Sequence, residues 1–117
     1  MDRPNEYNYA AIGLLVSGIF NIWIGAILML SMLVFCCGVL WLLPMAVGVL
    51  EVVTAARMLA GHRVHSAMPV AGLGIAASLM NFNVIGLAGE VVALALCSSP
   101  PVGRWLEADP EGADEQW

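Results

Sequence analysis

Two glutamates sit in runs that otherwise read as hydrocarbon, Glu51 in "GVLEVVTAARML" and Glu90 in "LAGEVVALAL". An acid in such surroundings either relays a proton or cation, or makes an interhelical hydrogen bond that fixes register or docks a partner. One central acid costs about 3 kcal/mol on insertion scales, roughly what six flanking Leu or Val residues return, so both segments can enter a membrane while lipid exposure of either carboxyl stays unfavourable. Neutral forms that donate to Asn21 or to a helix carbonyl are expected.

Other reactive residues are sparser. His62 and His65 stand three apart in "GHRVHS", a spacing that could hold a metal or haem, but no second pair completes a set. They are only weak candidates for cofactor binding and read better as headgroup-facing residues. Cys36 and Cys37 are adjacent, and Cys97 falls at the opposite end of the predicted bundle, too far for a bridge to either. No nucleophile elbow, phosphate loop, zinc-protease helix or dinucleotide fingerprint is present, so the chain is not expected to be an enzyme. No metal or cofactor is expected, haem and pigment included; lipid contacts are.

The elements that must position these acids follow from composition. The 117 residues are 61% hydrophobic and 11% charged, with mean hydropathy +0.87. An ordinary soluble domain is about 45–50% apolar and about 25% charged, so this is the composition of an integral membrane protein. No charged residue lies between Tyr7 and Glu51, and between His65 and Arg104 only Glu90 does. The first run is too long for a signal peptide, and "MDRPNEYNY" is as acidic as it is basic. A net charge of −5 without a basic patch excludes nucleic acid as a partner.

The run from Ala10 to Leu59 would be about 75 Å long as one helix, against about 30 Å of hydrocarbon. It must fold back, most naturally at Cys36–Gly38, with Pro44 in the first turn of the returning helix. The stretch 66–98 is just enough for two short spans broken at "NFN", Asn81–Asn83, because Asn both tolerates a left-handed helix end and caps a helix start. Pro69 then opens one span, and Pro100 with Pro101 closes the other. A single kinked helix is the alternative.

These readings predict an all-α, polytopic membrane protein: four transmembrane helices, as two antiparallel hairpins in a compact bundle, over about 9–35, 40–59, 66–81 and 83–98. Residues 1–99 form the membrane domain and 100–117 an acidic cytoplasmic tail. Arg3, Arg57, Arg63 and Arg104 all fall on one side of this topology, which places both termini in the cytoplasm of a plasma (inner) membrane protein. Trp41 and Trp105 are expected as interfacial anchors.

Each helix carries a face of small and polar residues at three-or-four spacing: Gly13, Ser17, Asn21 and Gly25; then Gly48, Glu51 and Ala55; then Ala71, Gly74, Ser78 and Asn81; then Gly86, Glu90, Ala93 and Cys97. In lipid, helices associate through close approach at small residues and through polar side chains that find partners. Ser17, Asn21, Glu51, Ser78 and Glu90 are therefore the candidate interhelical polar residues, and Gly13, Gly25, Gly48, Gly74 and Gly86 the candidate packing residues. The echoes "GVLEVV" and "LAGEVV", with "SGIFN" and "ASLMN" one helix earlier, suggest that the hairpins are a tandem repeat about an axis along the membrane normal. Glu51 is then about 15 Å and Glu90 about 10 Å below the far turns.

The function expected is that of an accessory, assembly or structural subunit of a larger membrane complex, or of a homo-oligomer, working through helix packing against other subunits or itself. The alternative is a small proton or cation conductance built on Glu51 and Glu90.

Overall fold

A computed structural model of the chain describes residues 2–108. Pro4 opens the first helix, α1, Asn5–Met32, and no proline or charged residue interrupts it after its first turn. It tightens into a 3-10 turn, Leu33–Phe35, and reverses at Cys36, whose φ of 57° is left-handed. A second 3-10 turn, Gly38–Trp41, leads into α2, Leu42–Leu59, with Pro44 in its first turn, where its missing N–H breaks no helix bond.

The next two reversals are the same capping motif. At the end of α2 the His62 N–H donates to Arg57 O and the Gly61 N–H to Met58 O, each at 3.1 Å, with Gly61 at φ 97°. The third helix, α3, Ala67–Met80, ends likewise: the Asn83 N–H donates to Ser78 O at 2.8 Å and the Phe82 N–H to Leu79 O at 3.3 Å. Both are Schellman ends, which satisfy carbonyls a helix would leave orphaned. In the second, Phe82 takes the left-handed conformation at φ 53°, and the flanking asparagines do not. Asn83 instead caps the fourth helix, α4, Val84–Cys97, its side chain accepting from the Gly86 N–H at 2.8 Å.

The helices pack in the cyclic order α1, α2, α3, α4, with α1 against both α2 and α4 and the α2 and α4 backbones apart on the diagonal. Two pairs of glycines set the closest approaches. A Cβ on Gly18 would lie 2.7 Å from Gly48 O, and one on Gly13 would lie 2.7 Å from Gly89 O. Residues 13 and 18 lie on different sides of α1, so one helix meets two neighbours at backbone distance and turns Ser17 and Asn21 between them.

Two helical stretches are long and apolar enough to cross a membrane, Asn5–Phe35 and Gly38–Leu59. α3 and α4 have 14 residues each, about 21 Å apiece, shorter than expected from the sequence. A third candidate span exists only if α4 is joined to a further helix, α5, Pro100–Glu107, across a 63° bend. α5 occupies part of the segment expected as tail: the two prolines that end α4 serve as the first residues of a new helix. It turns Val102 and Trp105 inward, so Trp105, expected as an interfacial anchor, is 4% exposed. The acidic segment after residue 108 lies outside the described residues.

Candidate functional site: a buried carboxyl pair

Polar side chains from all four helices of the bundle and from the α3–α4 turn converge on one point. Ser17 and Asn21 come from α1, Glu51 from α2, Ser78 from α3, Glu90 from α4, and Asn81 and Asn83 from the turn. All are at most 3% exposed. The Ser17 hydroxyl lies 3.0 Å from Glu51 Oε1 and is also hydrogen-bonded to Glu90 Oε1. The Asn21 amide donates to Glu51 Oε2 at 2.9 Å and to Glu90 Oε1 at 3.1 Å. Ser78 Oγ reaches Glu90 Oε1 at 2.8 Å and Asn21 Oδ1 at 3.2 Å. Asn83 Nδ2 donates to Asn21 Oδ1 at 3.0 Å. Unpaired polar groups in this interior would each carry a desolvation cost, and the network removes most of it.

Gly74 provides the room. A Cβ there would lie 2.7 Å from Glu90 Oε1 and closer still to Glu51 Oε1, so both carboxyls rest on the bare backbone of α3. Gly86 makes similar room for the Asn83 amide and for Ser78 Oγ, which would be 2.8 Å from its Cβ. Gly25 faces Met45, whose Cγ a Cβ would meet at 2.7 Å. Of the packing glycines expected from the sequence, Gly13 and Gly48 touch a neighbouring helix backbone, while Gly74 and Gly86 accommodate the polar cluster and Gly25 a side chain.

The cluster is closed off from the basic end. Leu14, Ala55, Val70 and Ala71 are buried between it and that end. There Arg3 Nη1 donates to Met58 O at 2.9 Å and Leu59 O at 3.1 Å, closing the carbonyl end of α2. Tyr7 OH donates to His62 O at 2.6 Å and accepts from the Val64 N–H at 2.8 Å. The Tyr7 ring packs 4.8 Å from that of Trp105, over which Arg63 sits at 4.6 Å. His62 and His65 are exposed in this loop, apart from the carboxyl pair. Among the described residues no group of three or more His, Cys, Asp or Glu could hold a metal. Cys36 and Cys37 are exposed free thiols, and Cys97 is buried and free.

The asparagines of the turn belong to the site although the sequence shows them first as helix punctuation. Asn81 continues the polar face of α3 beyond Ser78, but its contact with Asn21, like that of Asn83, is set by the fold. Thr54, one turn from Glu51, is fully buried with its hydroxyl unpartnered, and spacing alone did not single it out. In comparisons with known proteins the chain matches no family, no curated protein and no solved structure.

Proposed function

We propose that the chain is a non-enzymatic membrane protein that works through helix packing, as an accessory or assembly subunit of a larger membrane complex or as a homo-oligomer. One observation carries this reading. The α3–α4 turn sits at the level of Asn21, and α1 continues about 16 Å beyond it. Over that length α1 and α2 cover only each other. Ile24 and Leu28 stay half-buried, while Leu40 and Leu43 are exposed, at 57% and 63%. Beside this ledge the turn itself presents Phe82, 88% exposed, and Val84, 76% exposed. A step of this shape on an otherwise closed bundle suits a neighbouring helix.

The topology belongs to the same proposal. α1 and α2 cross fully, and α3 and α4 complete four crossings as a short pair over which the bilayer thins, the ordinary response to a stretch shorter than the hydrocarbon. The four arginines lie toward the other end, which supports a cytoplasmic side for that end by the positive-inside rule.

Conductance through Glu51 and Glu90 is the second reading, favoured by the burial of two acids at one point. The apolar layer around Leu14 and Ala71 argues against a continuous path. Cysteines at Leu28 and Leu43, in a chain with Cys36 and Cys37 replaced by Ser, test the packing reading. Crosslinks to another chain in native membranes are expected; failure to crosslink together with proton flux in liposomes would decide for conductance.

A further inference from the structure

We propose that Glu51 and Glu90 form a proton-binding site that keeps one proton on Glu51 and exchanges a second at Glu90, through a groove beside the α3–α4 turn. Counting donors leads there. Ser17 has one hydroxyl proton and two carboxyl oxygens in reach, Glu51 Oε1 and Glu90 Oε1. It can donate to one; the other must bring a proton of its own to the Ser17 lone pair. The Asn21 amide spends both hydrogens on the two carboxyls. With the proton on Glu51 Oε1, Ser17 donates to Glu90 Oε1, and so do Asn21 and Ser78, whose one hydrogen goes to the nearer of its two acceptors while Asn83 supplies Asn21 Oδ1. Each contact that Ser17, Asn21 and Ser78 make with the pair is then donor to acceptor.

That assignment leaves Glu90 charged, and its second oxygen is the independent observation. Glu90 Oε2 is buried without a partner, and so is Asn81 Oδ1, on a side chain whose amide nitrogen already points at Asn21. Both are open acceptors, to which no cation among the described residues is hydrogen-bonded. The polar groups hydrogen-bonded to the pair are Ser17 and Asn21 from α1 and Ser78 from α3, all uncharged; Asn81 and Asn83 of the turn reach it through Asn21, and Thr54 lies one turn from Glu51 on α2. Among the described residues the arginines lie at the basic end. A proton on Glu90 Oε2 removes the charge and adds a donor. One carboxylate oxygen and one amide oxygen are too few for a hard metal ion, which takes a shell of about six oxygens.

The route in is on the turn side. A groove of about 240 Å³ is lined by Ser78 and Asn83, both members of the cluster, together with Leu79, Phe82, Val84 and Leu87. On the other side Leu14, Ala55, Val70 and Ala71 are buried, with Thr54, its hydroxyl unpartnered, the one buried polar residue beside them among the described residues, so no chain of polar side chains leads to the basic end. The site therefore loads and unloads from one face of the membrane and does not conduct. This holds whether or not the chain has a packing partner.

Infrared difference spectroscopy of the full chain in liposomes tests it, because protonated carboxyls absorb apart from carboxylates and exposed Asp and Glu are ionised above about pH 5. Wild type should show a component that appears and disappears reversibly with pH above a constant one. Glu90→Gln should abolish the reversible component and keep the constant one. On transfer to deuterated water, Leu87→Trp or Val84→Trp, which fill the groove, should slow the isotope shift of the reversible component severalfold. The proposal is overturned if wild type has no reversible component, if that component survives Glu90→Gln, or if both groove variants exchange at the wild-type rate. Loss of the component on adding sodium or potassium at constant pH would also overturn it, by showing a metal ion as the ligand.

Discussion

Glu51 and Glu90 project from α2 and α4, the two helices whose backbones stay apart on the diagonal, and meet through the hydroxyl of Ser17 on the helix between them. One small side chain thus ties three helices. Ser17→Ala removes the bridge and leaves Glu51 Oε1 to find another partner, while Glu90 Oε1 keeps Asn21 and Ser78. Buried hydrogen bonds of this kind are worth about 1–2 kcal/mol in membrane proteins, so Ser17→Ala should lower unfolding stability in detergent by about that amount. Ser17→Thr, which keeps the hydroxyl, should recover part of it. Equal stability of Ser17→Ala and wild type would show that the bridge contributes nothing.

Gly74 and Gly72 are two residues apart on α3 and should answer a methyl group in opposite ways. The Gly74 Cβ would run into both carboxyls, whereas that of Gly72 meets nothing within 4 Å. Gly74→Ala should displace the pair and destabilise the bundle by about 2 kcal/mol or more, while Gly72→Ala should be neutral or stabilise by up to about 1 kcal/mol through its better helix propensity. Thermal unfolding of the two variants side by side checks this.

Phe82 holds a left-handed φ that costs a non-glycine residue about 1–2 kcal/mol, and its ring is nearly all exposed. The sequence therefore keeps a bulky apolar group at a site where glycine is less strained. Phe82→Gly should leave the stability of the single chain within about 1 kcal/mol of wild type, because relief of strain offsets the entropy of glycine. It should weaken association with a partner. Unchanged association would mean that lipid alone meets this ring.

The proposed topology puts Cys36 and the α3–α4 turn on one side of the membrane and the α2–α3 loop on the other. In a background with Cys36 and Cys37 replaced by Ser, Phe82→Cys should react with a membrane-impermeant thiol reagent from the side on which native Cys36 reacts, and Gly61→Cys from the opposite side. A Phe82→Cys chain shielded from both sides would show that α3 and α4 re-enter without crossing.

Much of this site was legible in the sequence. Ser17, Asn21, Glu51, Ser78 and Glu90 fall on helix faces set by three-or-four spacing, and in lipid a polar side chain has little choice except inward, so the same face that reads as polar is buried. The two hairpins of the suggested repeat place corresponding residues, Glu51 with Glu90 and Asn21 with Asn81, in one cluster. Lengths were harder to read. Nothing in the local pattern of 66–98 says that Asn81 and Asn83 turn back toward Asn21 and end α3 and α4 at 14 residues, because that depends on a contact about 60 residues away in the chain. α5 was hidden for a related reason. Its two prolines read as terminators, and the burial of Trp105 depends on Tyr7, which closes the same end from the far terminus.

The central claim is that this bundle works by packing against other chains. Its most direct test is gentle extraction from the native membrane followed by mass measurement of the intact particle. The account predicts a particle heavier than the single 12.4 kDa chain, containing either other membrane proteins in fixed ratio or several copies of itself. A particle with the mass of one chain and its bound lipid, recovered from membranes at native abundance, would contradict it.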